Sequence, residues 1–277
     1  MNIAARKPAA DAGITVRRMD FEFPDDIPEF WFANDPYRTL LLTGLSATFP
    51  EGERFFVDSV RNFQDQVTDP ELRQAIRGFI GQEAHHSKEH KVLNELMERK
   101  GYPMSKIDNM VRGGMKFMRK HMSRERQLAM TCALEHFTAI LADQLLQNRE
   151  EFIDRMDPRV AKIWAWHAVE ETEHKAVAFD VFKATVNNEW IRRSQMALNT
   201  VEFLFFSTLH TVQLLRASGN AGKLQTWRSA FDFYWGKTGI FRKLGPAYRA
   251  YYRRDFHPWQ HDNRERVEAI KKEFGLA

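Results

Sequence analysis

The sequence predicts an all-α protein built on a four-helix bundle. Four long segments carry apolar residues at the three- and four-residue spacing of a buried helix face. Helix start signals, three of them Asp-Pro or Thr-x-Pro, stand before these segments. No stretch alternates apolar and polar residues as a half-buried strand does.

Residues 1–13 lack the apolar core of a signal peptide and read as a disordered tail. Residues 14–30 carry Pro24, Pro28 and a cluster of acids, and read as extended or irregular. Asp35-Pro36 predicts a short helix through Leu42 that ends near Gly44. Thr48-Phe49-Pro50-Glu51 then predicts the start of a first long helix, with Glu51 as a first-turn acid favoured by the helix dipole. Glu53, Phe56, Val57, Val60 and Phe63 lie along that helix.

Asp69-Pro70 opens the second long helix, which carries Glu83, His86, Leu93 and Leu96 and stops before Gly101. A connector follows, with a helix around 106–120 broken at Gly113-Gly114. Ser123 caps the third long helix, whose inward face includes Leu128, Cys132, Glu135, Ile140 and Leu145. Asp157-Pro158 opens the fourth. The core bundle is placed at about 48–188 and a helical extension at about 189–277, within one domain over 14–277. The most apolar window, 197–215, contains Asn199, Glu202, His210 and Gln213, so it reads as a buried or surface-lying helix and not a membrane span.

Composition narrows the function. A net charge of +4 is too small for a general nucleic-acid binder, and no nucleic-acid motif is present. One cysteine excludes an internal disulfide framework and suits a reducing, cytoplasmic compartment. No nucleotide-binding Gly-rich loop is found. Segment 237–254 contains six Lys or Arg and no acid, interleaved with Phe241, Tyr248, Tyr251 and Tyr252. Such runs are usually solvated faces, and the sharper reading is a patch for anionic lipid headgroups or an acidic partner protein.

The informative residues interrupt the apolar stripes. His167, Glu171 and His174 fall on one helix face, as do Glu83 and His86, because residues three and four apart are neighbours on a helix. Glu53 and Glu135 interrupt two further stripes. Burying these acids would be costly without compensating cations. Carboxylate and neutral imidazole are ligands for iron, manganese and zinc. A Glu from each of two helices and Glu-x-x-His from each of two others is the ligand set of ferritin-like dinuclear carboxylate proteins. The expected metal ligands are therefore Glu53, Glu83, His86, Glu135, His167, Glu171 and His174, with Glu135 a bridge. His90 shares the Glu83 face; a supporting group or an extra ligand is the sharper reading of it, and its place in the set is left open. His85 and His136 are offset by about 100° and read as packing or hydrogen-bonding residues, and Cys132 as a small core residue.

Two resemblances follow from these motifs. The segments LSATFPEGERFF, GQEAHHSKEH, LEHFTAILAD and WHAVEETEHKAVAFDVF resemble the bacterial predicted metal-dependent hydrolases of the ferritin-like superfamily, from about Val16 onward. Separately, the order Glu53, Glu83-x-x-His86, Glu135, His167-x-x-x-Glu171-x-x-His174 resembles the ligand order of the di-iron arylamine N-oxygenases, over the ligands alone. The second resemblance implies two iron ions, with manganese or zinc as alternatives, that activate O2 to oxidise an apolar or amphipathic small molecule, with electrons from an external donor. The first implies hydrolysis. A non-catalytic metal-binding protein is the third reading, and a homodimer is compatible with each.

Overall fold

The computed structural model describes residues 14–237 and 239–276, and contains ten α-helices among them. The tail at 1–13 lies outside the described residues. Residues 14–35 form no helix, as expected, and touch the rest through an isolated bridge between Phe32 and Met156.

The first helix, α1 (Pro36–Arg61), is capped by Asp35, whose side chain accepts from the amides of Tyr37 and Arg38. It corrects the expected pair of helices divided near Gly44, for α1 runs straight through both Gly44 and Pro50. Gly44 does not end the helix; it admits a neighbour, since a Cβ there would stand 3.4 Å from the Cβ of His210. Pro50 has no N–H, so the carbonyl of Ser46 loses its helical donor. Asn94 replaces that donor from the next helix, with Nδ2 3.0 Å from the Ser46 oxygen. Thr48 does not cap; its hydroxyl donates to the carbonyl of Leu45 at 2.7 Å. Glu51 is accordingly a mid-helix residue, bonded to Arg54 and Arg112, and not a first-turn acid.

Next come α2 (Pro70–Arg99), α3 (Met104–His121), α4 (Arg124–Gln147) and α5 (Pro158–His174). Asp69, Ser123 and Asp157 cap α2, α4 and α5 as their sequence signals predict. The expected break at Gly113-Gly114 does not occur: α3 is continuous, and both glycines face open space. The fourth helix does break, at Lys175-Ala176, and α6 (Val177–Thr185) follows. The remaining helices are α7 (Glu189–Ala217), α8 (Leu224–Trp235), α9 (Ile240–Ala250) and α10 (Arg264–Phe274). Among the described residues no helix is long and apolar enough to cross a membrane.

Helices α1, α2, α5 and α4 pack in that cyclic order, each against the next. Two apolar clusters fill the bundle. The first holds Leu40, Leu41 and Ala47 of α1, Leu93 and Leu96 of α2, Leu146 of α4, and Val160–Val169 positions of α5. The second holds Phe55 and Val60 of α1, Ile76 and Phe79 of α2, Leu128 and Cys132 of α4, and Val177 and Phe182 of α6. Chain order across the two clusters makes α1 antiparallel to α2, and α4 antiparallel to α5, while α3 returns the chain along α1. One long crossover of this kind is the connectivity of ferritin-like bundles. On every bundle helix acids and histidines stand where the two clusters meet: Glu53, Glu83, His86 and His90, Glu135, and His167, Glu171 and His174. Helix α7 lies across α1 and α4, α8 packs on α1, α9 on α4, and α10 on α5.

Candidate metal centre

All seven expected ligands converge between the apolar clusters, and none is more than 5% exposed. Glu53, His86 and His167 bring one ligand atom each to within 4.8 Å of one another, and so do Glu83, Glu171 and His174. Glu171 faces both groups: Oε1 is 2.9 Å from His167 Nε2 and 3.6 Å from His86 Nδ1, and Oε2 is 3.6 Å from His174 Nε2. Glu83 Oε1 also lies between them, 3.1 Å from His174 Nε2 and 4.0 Å from His86 Nδ1. Glu135 approaches the second group alone, with Oε2 3.4 Å from His174 Nε2. Glu83 and Glu171 therefore each lie near histidines of both groups, whereas Glu135 lies near His174 alone among these histidines.

The donor atoms fit metal ions on their own chemistry. Buried polar atoms are normally hydrogen-bonded. Here one oxygen of Glu53, both of Glu83, both of Glu135, Oε2 of Glu171, Nδ1 of His86 and Nε2 of His174 are buried without a hydrogen-bond partner. Those orphaned atoms are the ones that point into the cluster.

The outward nitrogens, in contrast, are all held. A metal-binding histidine usually gives its second N–H to an acceptor, which fixes the tautomer. His86 Nε2 lies 3.1 Å from Glu170 Oε2, and His174 Nδ1 lies 2.8 Å from Gln82 Oε1. Gln82 donates its amide to the Thr15 carbonyl and to Glu173, so its oxygen is the end that accepts from His174. His167 Nδ1 lies 2.6 Å from His90 Nε2, and His90 Nδ1 lies 2.9 Å from the Ser46 hydroxyl. That hydroxyl donates to Asn94 Oδ1, so it accepts from His90. The network leaves His90 Nε2 as the acceptor for His167 Nδ1–H, and frees His167 Nε2 toward the cluster. His90 thus supports His167 and belongs to neither ligand group.

Charge tells the same story. Burial, reinforced by neighbouring carboxylates, pushes Glu53 and Glu83 well above the usual range, and burial pushes Glu135 up to about 7. Burial opposes ionisation of Glu171 as well, but His174 and His167 hold it well below its usual value. His174 is driven well above its ordinary value by Glu135 and Glu171, although burial favours the neutral ring. Protons supply the positive charge that the carboxylates demand, and a metal pair would displace them.

Sequence reasoning missed the residues outside this ring. Glu170 and Glu173 stand beside the ligands Glu171 and His174, and both bind Arg17, with Nη1 3.0 Å from Glu170 Oε1 and Nη2 2.8 Å from Glu173 Oε1. Their signal was present: two further acids in one apolar helix, offset from the ligand face and unable to remain buried unpaired. Arg17 carried no such signal. His136 donates from Nε2 to the Ala247 carbonyl at 3.1 Å and packs on Tyr251, as a packing and hydrogen-bonding residue should. Cys132 is buried within the second apolar cluster.

Two apolar cavities reach the centre. The larger, about 320 Å³, runs from Glu171 and His167 past Phe49 and Trp164 to Phe203 and Tyr248. The smaller, about 180 Å³, reaches Glu53, Glu171 and His167 between α1, α3 and α7.

A family model described as "Predicted metal-dependent hydrolase" matches residues 15–262, nearly the whole chain. The chain belongs to this family. No curated protein and no solved structure matches it. Membership of the predicted metal-dependent hydrolases agrees with the two buried His/Glu groups, and it favours hydrolysis over the oxidative reaction. The likeness to arylamine N-oxygenases stays with the order of the ligands, since the family match does not extend to it.

Proposed function

We propose that this chain is a dinuclear metal-dependent enzyme that hydrolyses an apolar or amphipathic small molecule bound in the larger cavity. One observation carries the reading: six of the seven buried side chains have orphaned donor atoms, and an apolar cavity large enough for a small ligand reaches their cluster at His167 and Glu171. Glu53, His86 and His167 would hold one metal, Glu135 and His174 the other, with Glu83 and Glu171 shared. Bound there, a metal pair supplies a Lewis acid and lowers the pKa of water to make a nucleophile near neutral pH.

The chain's own residues do the rest. Glu170, Gln82 and His90 fix the three imidazoles so that a lone pair of each faces inward. Phe49 stands between cavity and centre, its ring 4.8 Å from that of His167, and limits how a substrate approaches. The aliphatic and aromatic lining excludes bulk water and strengthens every charge interaction inside.

Oxidation with O2 is the second reading. Its support is the donor set itself, three imidazoles with four carboxylates beside an almost wholly apolar cavity, which suits iron and an apolar substrate. Anaerobic loading with zinc, manganese or ferrous iron, followed by metal analysis, separates the readings. The hydrolase reading expects about two metals per chain and cleavage of esters or amides that improves with acyl length. O2 uptake and near-ultraviolet absorption of the ferrous protein, with no cleavage under any metal, would replace it with the oxidative one. A chain that retains no metal would overturn both.

A further inference from the structure

Helix α8 is amphipathic in the wrong sense for a core helix. Leu224, Trp227, Phe231 and Trp235 recur at helical spacing and form one stripe, and they are 65%, 42%, 64% and 52% exposed. Exposed apolar stripes of this size mark interaction sites. Helix α7 adds Val201, Leu204 and Phe205, all exposed.

Beside the stripe stand cations. Lys237, Arg242, Arg249 and Arg254 are exposed, and none forms an ion pair among the described residues. Helices α8 and α9 are joined by aromatic contacts, Tyr234 stacking on Phe241 at 4.7 Å and Trp235 meeting it edge-on at 5.1 Å. The stripe and the basic helix therefore adjoin. The two helices also wall the larger cavity, through Phe233 and Tyr234 of α8 and Phe241 and Leu244 of α9, and Leu204 of α7 is both exposed and part of the wall.

We propose that the α8–α9 face is a docking surface for an anionic lipid bilayer, set so that the cavity opens toward the membrane. Tryptophan favours the boundary between headgroups and acyl chains. Unpaired Lys and Arg attract anionic headgroups. A second copy of this chain fits the face poorly, because a two-fold contact would set the basic patch against itself. Docking does not depend on which reaction the metals perform; the opening toward lipid rests on the apolar-substrate reading.

Sedimentation with phosphatidylglycerol/phosphatidylcholine vesicles tests the surface, on the full chain with and without metal. The protein should bind anionic vesicles at low salt, and bind pure phosphatidylcholine vesicles at least about tenfold more weakly. High salt should release it. Leu224→Ser/Phe231→Ser and Arg242→Glu/Arg249→Glu should each weaken binding by about tenfold or more with helix content unchanged. Absence of binding at low salt, or binding that ignores both double variants, would overturn the proposal. So would a wild-type dimer that Leu224→Ser/Phe231→Ser dissociates, for a second copy would then cover the stripe. Metal occupancy is read separately, so loss of the enzymatic reading leaves the vesicle result standing.

Discussion

Asn94 donates from Nδ2 to the carbonyl of Ser46 at 3.0 Å, the oxygen that Pro50 leaves without a helical partner. The same bond orients the Asn94 amide, so that its Oδ1 accepts from the Ser46 hydroxyl at 2.8 Å. A proline in one helix thereby helps set the tautomer of a histidine in another, through Asn94, Ser46 and His90 to His167.

Asn94→Ala should destabilise the protein by about 1–3 kcal/mol, the cost of a buried acceptor left unpaired. Pro50→Ala restores an N–H at the place where Ser46 needs one. Urea unfolding of the two single variants and the double variant should therefore show coupling, with the double less unstable than the sum. Strict additivity would mean that Asn94 does not compensate for the proline.

His90→Ala removes the acceptor for His167 Nδ1–H. Metal affinity should fall roughly 10–100-fold, the usual consequence of losing a group that orients a ligand. His90→Gln keeps an acceptor oxygen and should recover part of it. Competition with a chromophoric chelator measures both, and equal affinity in wild type and His90→Ala would remove the positioning role.

Arg17 should matter more than its place before the first helix suggests. It is bonded to Glu170 and Glu173 of α5 and donates from Nε to the carbonyl of Leu276 at 2.6 Å. Arg17→Leu leaves two buried carboxylates short of a cation, which costs about 3–5 kcal/mol when a buried pair is broken on one side. Thermal and urea unfolding should both show the loss; a change below about 1 kcal/mol would mean that Lys271, 2.6 Å from Glu173, suffices.

His210 gives an acid-side signature. Its ring nitrogens are buried without a hydrogen-bond partner, and burial pushes its pKa down to about 4. The unfolded chain takes up a proton on this ring near pH 6.5, which the folded chain resists until about pH 4. Stability from this residue is thus complete above the unfolded value and declines as pH falls from 6.5 toward 4. His210→Leu should flatten that part of the profile relative to wild type and raise the melting temperature. An identical slope in both proteins would show that His210 takes up its proton equally in the folded and unfolded chains.

The seven inward residues were legible because helix geometry is local: spacing of three and four fixes a common face whatever surrounds it. The caps at Asp69, Ser123 and Asp157 were legible for the same reason. What failed was decided between helices. Pro50 reads as a start signal until Asn94 arrives from α2, and Gly44 reads as a stop until His210 packs against it from α7. Which carboxylates lie near both histidine groups, Glu83 and Glu171 and not Glu135, was not legible, because spacing along one helix carries no information on which neighbour a carboxylate meets. Arg17 lay outside any motif, in the irregular stretch whose partners only the folded chain defines.

Glu135 offers a test in which stability and metal binding change in opposite directions. Burial pushes its pKa up to about 7, against about 4.3 for glutamate in an unfolded chain. The folded, metal-free protein therefore binds a proton that the unfolded chain has released, and stability falls as pH rises from the unfolded value through about 7. Glu135→Gln removes that ionisation at nearly constant shape. At pH 8 the metal-free variant should be more stable than wild type, by an amount of order 1–3 kcal/mol, and at pH 4 the difference should vanish. Metal binding should reverse the sign, because an amide supplies no negative charge to the ion beside His174. Calorimetric melting of the stripped and loaded proteins at both pH values reads all four quantities. Equal destabilisation of both forms would show that Glu135 is a structural polar group, and the candidate centre would lose its fourth carboxylate.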